Sequence, residues 1–89
     1  MTIGEVNGGF AGRVRSPARR CLGARTVLVY MVTRTRPTLV ANEQTTSDGR
    51  YVATPAFVSP GDSYYARVLR SNLGHAICKA AQSRTIVAR

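Results

Sequence analysis

A chain of 89 residues with two Phe and no Trp makes one domain at most, with a core too small to be generous. Thirteen Lys and Arg against four Asp and Glu give a net charge of +9, which favours polyanions as partners: nucleic acid, anionic lipid or an acidic wall polymer. No run approaches the roughly 18 apolar residues of a membrane-spanning helix, and the four acids, Glu5, Glu43, Asp48 and Asp62, are too scattered for a paired-carboxylate hydrolase.

In chain order, residues 1–8 read as a loose leader. "FAGRVR" then alternates Phe10, Gly12 and Val14 against Ala11, Arg13 and Arg15. With the arginines in water, Phe10 and Val14 face inward. "SPARRCLGA" is a loop set by Pro17 and Gly23. "RTVLVYMVT" is the most strand-like run, β-branched and apolar on both faces, with Val27, Val29 and Met31 in the core. "TLVANEQT" is a weaker strand with Leu39 and Ala41 inward.

"SDG" is a hairpin signal, because Gly49 tolerates positive φ, and "RYVAT" follows with Tyr51 and Ala53 inward. "SPGD" is a second turn, with Pro60 presetting φ and Gly61 relaxing it. "SYYARVLR" places Tyr64, Ala66 and Val68 inward and Tyr65, Arg67 and Leu69 outward. "SNLGHA" reads as a loop. "HAICKAAQS" is the one place for a short helix, without a clear N-cap. "TIVAR" closes as a strand with Ile86 inward. Short alternating runs between Gly, Pro and Asp turns predict an all-β, antiparallel, Ig-like sandwich of about seven strands, occupying residues 9–89.

Two cysteines, Cys21 and Cys78, fit either one disulfide or a pair of buried free thiols. A disulfide would stabilise so small a domain by about 4 kcal/mol on chain-entropy grounds and would place it in an oxidising compartment. The N-terminal "MTIGEVNGGFAG" lacks the basic and apolar regions of a secretory signal. The chain is then either part of a larger exported protein, extracellular or at a cell surface, or a cytoplasmic protein with reduced thiols. No N-x-[ST] sequon occurs.

Candidate chemistry is sparse. His75 and Cys78 form an H-x-x-C pair, but with Cys21 they supply three ligands where a structural zinc site takes four. A Cys–His nucleophile lacks an orienting acid. Gly8, Gly9 and Gly12 lack the flanking strand and helix of a dinucleotide loop. No catalytic residue, metal or cofactor is expected. The remaining signal is basic. Arg13, Arg15, Arg19, Arg20 and Arg25 fall in one stretch, and with Arg67 and an exposed Tyr65 they form a candidate polyanion-binding face. Arginine beside an exposed aromatic is also the pattern of single-stranded nucleic acid binding, here as the small basic β-barrel alternative.

The order "FAGRV", Cys21, "RTVLVY", "TTSDGRY", "SPGDSYYARV", "CKAAQSRTI" resembles small carboxypeptidase regulatory-like domains, which group with the transthyretin-like (prealbumin-like) and collagen-binding B-type sandwiches. The resemblance covers about residues 10–88. It implies a Greek-key-like antiparallel sandwich serving as a non-enzymatic accessory module of exported or cell-surface proteins: spacing, display or weak binding to an anionic surface polymer or another protein. Members with both cysteines join the start of the second strand to the segment before the last, the positions of Cys21 and Cys78. Tyr51 and Tyr64 would fill the place of the core Trp found elsewhere. The isopeptide cross-link of some relatives is not expected, since the first strand offers Arg13 and Arg15 but no Lys.

Overall fold

The computed structural model describes residues 1–74 and 77–89. His75 and Ala76, the first two residues of the predicted short helix, lie outside the described ones; its remaining residues carry two short strands instead of a helix. The described residues form ten strands and one turn of 3-10 helix: β1 (Gly4–Val6), β2 (Gly9–Arg13), the 3-10 turn Arg19–Cys21, β3 (Thr26–Met31), β4 (Thr38–Gln44), β5 (Arg50–Ala53), β6 (Ser63–Val68), β7 (Ser71–Asn72), β8 (Ile77–Cys78), β9 (Ala81–Gln82) and β10 (Ile86–Val87). No described helix is long and apolar enough to cross a membrane.

Two antiparallel sheets make the sandwich. One has the order β1-β2-β5; the other has β10-β6-β3-β4, with β9 also on β6. They meet through alternate side chains. Phe10 and Ala53 from the first sheet, and Val27, Val29, Tyr64, Ala66 and Val68 from the second, are all but solvent-free. The rings of Phe10 and Tyr64 lie 4.8 Å apart at 40°, a tilted contact within the favourable range for aromatic pairs. Val14 and Tyr51 complete the centre, while Met31 and Ile86 pack at its margin. Apart from Leu39, the residues read as inward from alternation lie in or against this core, which Ile3 and Ala88 also join.

The departures have local causes. Residues 1–8 are not loose: Gly4, Glu5 and Val6 pair with Ala11, Phe10 and Gly9, and Ile3 is buried. The Asn7–Gly8 loop between β1 and β2, with Gly8 at φ 83°, is an Asn-Gly turn signal inside what read as a leader. Leu39 points outward, not inward, because the β3–β4 register shifts between Val29 and Tyr30. Val40 is the additional residue on β4, and it packs toward the core instead. A one-residue slip exchanges the faces of everything beyond it.

The Asp-Gly turn forms as predicted locally: Gly49 donates to the Thr46 carbonyl and Thr46 to the Arg50 carbonyl, at 2.9 and 2.8 Å, with Gly49 at φ 87°. It does not close a hairpin of paired strands, because β4 and β5 belong to different sheets. A Cβ at residue 49 would also stand 2.6 Å from the Val14 carbonyl, so no other residue serves there. The Ser59–Asp62 turn likewise returns the chain from one sheet to the other, with Gly61 at φ 90°.

The strand count exceeds seven for three reasons. The leader contributes β1. Ser71–Asn72, expected as loop, and Ile77–Cys78, expected as helix, contribute the β7–β8 pairing. The last strand is broken: Gln82 opposes Arg67 and Ile86 opposes Tyr64, so residues 83–85 face only residues 65 and 66. Buried Ser83 spans the break, accepting from the Ala66 amide through Oγ (2.8 Å) and donating its own amide to the Ala66 carbonyl (2.8 Å).

Candidate anion-binding cleft

Cys21 and Cys78 are joined, with an S–S distance of 2.05 Å and Cα atoms 5.3 Å apart. Both are buried. The bond pins the 3-10 turn between β2 and β3 to β8, at one pole of the sandwich. Because the sulfurs are bonded to each other, neither is a thiolate available to zinc or to a nucleophilic mechanism. A disulfide fits an extracellular setting.

Beside the bridge lies Arg25, only 4% exposed. The sequence reading put it on the polyanion-binding face; the fold turns it inward. Its Nη1 donates to the Cys21 carbonyl at 2.7 Å, and its Nη2 to the carbonyls of Leu69 and Lys79, each at 2.9 Å. One guanidinium therefore ties together the 3-10 turn, the end of β6 and the segment after β8. Only Arg has the planar fork for this.

The backbone around Arg25 is fixed as firmly. Its amide donates to Thr45 Oγ1 at 2.9 Å, the Thr45 amide returns to its carbonyl at 2.9 Å, and the Thr45 hydroxyl donates to the Leu22 carbonyl. Ala24, one residue before, takes a left-handed φ of 52°, a conformation that costs a side-chain-bearing residue about 1–2 kcal/mol. The strained residue directs the next side chain under the bridge. Burial lowers the Arg25 pKa from its ordinary value, yet a guanidinium remains charged at neutral pH. Among the described residues its charge is met by carbonyl dipoles alone, and Nε has no hydrogen-bond partner.

Above this arrangement opens a cleft of 420 Å³, lined by Arg15, Ser16, Pro17, Arg25, Ile77 and Lys79 among others, with Cys21 and Cys78 in its wall and no carboxylate. Arg15 and Lys79 are exposed. Ser16 Oγ accepts from the Ala18 amide at 3.2 Å, which leaves its proton free to donate. Local sequence gives no sign of Lys79, which lies 64 positions from Arg15; the disulfide and the hydrogen bonds of Arg25 bring the two segments together.

The remaining residues of the predicted polyanion-binding face do not come together as one patch. Arg13 lies on the three-stranded sheet opposite Arg50, whereas Tyr65 and Arg67 point outward from β6, on the far side of the core. Arg19 and Arg20 are exposed on the 3-10 turn. Tyr65 is half-buried and not free: its ring stacks on Tyr30, its cross-strand partner, at 5.4 Å and 23°. Asp48 is engaged in its turn; the Thr46 hydroxyl, and then Arg50, hold its carboxyl below the usual carboxylate range. Matched against models of known families, against curated proteins and against solved structures, the chain matches none.

Proposed function

We infer that the chain is a non-enzymatic binding module of extracellular type, of carboxypeptidase regulatory-like or transthyretin-like kind, which attaches to anionic surface polymer through its arginine-rich exterior. One observation carries this reading: every cation except Arg25 is exposed, and the single ion pair among the described residues is Arg50 with Asp48 at 3.2 Å. So much unpaired positive charge around so small a body attracts polyanions without base or sugar readout. The disulfide supports an oxidising setting, where such polymers coat surfaces.

The experiment is binding of the oxidised protein to a fluorescent sulfated polysaccharide and to fluorescent single-stranded DNA across a salt series. The polysaccharide is expected to bind at about 0.15 M salt, where the screening length is about 8 Å, and to release steadily as salt rises. No binding even at low salt removes the reading. The second reading rests on Tyr65 and Arg67 sharing one outward face. It prevails if DNA binds much more tightly than the polysaccharide and Tyr65→Ala abolishes the difference; the stacking of Tyr65 on Tyr30 counts against that outcome, since each ring covers a face of the other.

A further inference from the structure

We propose that the cleft over the disulfide is a dedicated site for one tetrahedral oxyanion, a sulfate or phosphate ester group, with Arg15 and Lys79 as its ligands and buried Arg25 as its fixed charge. This deepens the polymer-binding reading and rests on it: the exterior gathers the polymer, and the cleft grips one group of it. Three observations converge. The cleft's lining contains Arg15, Arg25 and Lys79 and no acid, so its field is of one sign. Arg25 is 4% exposed, and among the described residues its side-chain hydrogen-bond partners are all neutral carbonyls and its Nε is unpartnered. A buried cation without a counter-ion is costly, and an anion seated over it offsets that cost through surroundings of low dielectric. Ser16, on the same wall, has a hydroxyl proton to give.

Arg25 Nε is closed off from solvent, so the anion is gripped by the exposed Arg15 and Lys79 side chains and feels Arg25 as a field. A tetrahedral oxyanion suits this arrangement, because charge-assisted bonds from Arg and Lys reach different oxygens of one group. A chloride ion cannot bridge donors that come from two sides in the same way.

The test is an NMR titration of the oxidised full chain with inorganic sulfate and, separately, inorganic phosphate, at ionic strength held constant with chloride. Saturable shifts are expected at residues 15–18 and 77–81 and at the Arg25 side-chain N–H groups. The lower saturating concentration of the two identifies which ester is preferred. Arg15→Ala with Lys79→Ala is expected to weaken binding about tenfold or more. Arg34→Ala with Arg36→Ala, the same charge loss on the exposed β3–β4 loop, is expected to leave it within about twofold. Shifts that never saturate, or that spread over all arginines, or equal weakening in both double variants, overturn the site. If the sulfated polysaccharide still binds when the small anions do not saturate, the module reading stands and this site falls; if neither binds, both fall.

Discussion

Arg25 and Tyr51 show how single polar groups are handled in a domain with little core. Each is buried, and each donates to at least one backbone carbonyl brought from a distance. Tyr51 donates its hydroxyl to the Thr2 carbonyl at 2.7 Å, which anchors the first residues over the sandwich. Gly12 lies directly beneath, where a Cβ would collide with the same carbonyl and the same hydroxyl. Burial pushes the Tyr51 pKa up to about 12, against about 10 in an unfolded chain. The folded pKa is the higher one, so this contribution to stability is complete below about pH 10 and is lost as pH rises through about 12. Urea unfolding of the oxidised protein is expected to show a stability loss between those values, and Tyr51→Phe is expected to flatten that part of the profile; an unchanged profile in Tyr51→Phe refutes it. Tyr51 was legible from alternation, because its strand is regular. Arg25 was not. Nothing local distinguishes it from its exposed neighbours Arg19 and Arg20, and two of its three acceptors, at Leu69 and Lys79, lie 44 and 54 residues away.

At the level of strands, alternation held wherever the pairing is continuous and failed wherever a residue is added. β2, β3, β5 and β6 keep one phase, and every residue assigned inward on them packs in the core. On β4 the irregularity at Val29/Tyr30 exchanges Leu39, 49% exposed, for Val40. A bulge leaves no mark in a pattern of apolar residues when adjacent Leu and Val serve either phase equally well. The consequence is measurable. Val40→Ser is expected to cost about 1–2 kcal/mol by placing a hydroxyl against the core, whereas Leu39→Ser is expected to stay within about 0.5 kcal/mol of the parent. Chemical denaturation of both variants decides it, and the reverse ranking returns β4 to an unbulged register. The turns behaved differently. Asp48–Gly49 and Pro60–Gly61 form as their chemistry dictates, but turn chemistry fixes only the reversal and not whether the flanking strands pair with each other. Both turns instead carry the chain across the sandwich.

Taken as a whole, the molecule sets a small two-sheet core inside a shell of mostly unpaired arginine, with a hydrogen-bonded polar cluster around Arg25 beside the disulfide. The bridge, spanning 57 positions, contributes about 4 kcal/mol on chain-entropy grounds, a large part of the ~5–15 kcal/mol typical of a folded domain. It also closes the cleft wall, joining the Arg15 and Lys79 segments alongside the hydrogen bonds of Arg25 and the β7–β8 and β6–β9 pairings. The sheets could be read from composition and period, and the cysteine pair from its number and setting. The cleft could not, since it exists only where β8 closes on the 3-10 turn. The decisive measurement is intact mass with thiol alkylation on protein purified without reductant, followed by urea unfolding before and after reduction. We predict no alkylation until reductant is added, a gain of two hydrogens on reduction, and an unfolding free energy lower by about 4 kcal/mol in the reduced chain. Free thiols in the folded, unreduced protein, or equal stability in the two states, would contradict the account of a sandwich closed by its disulfide.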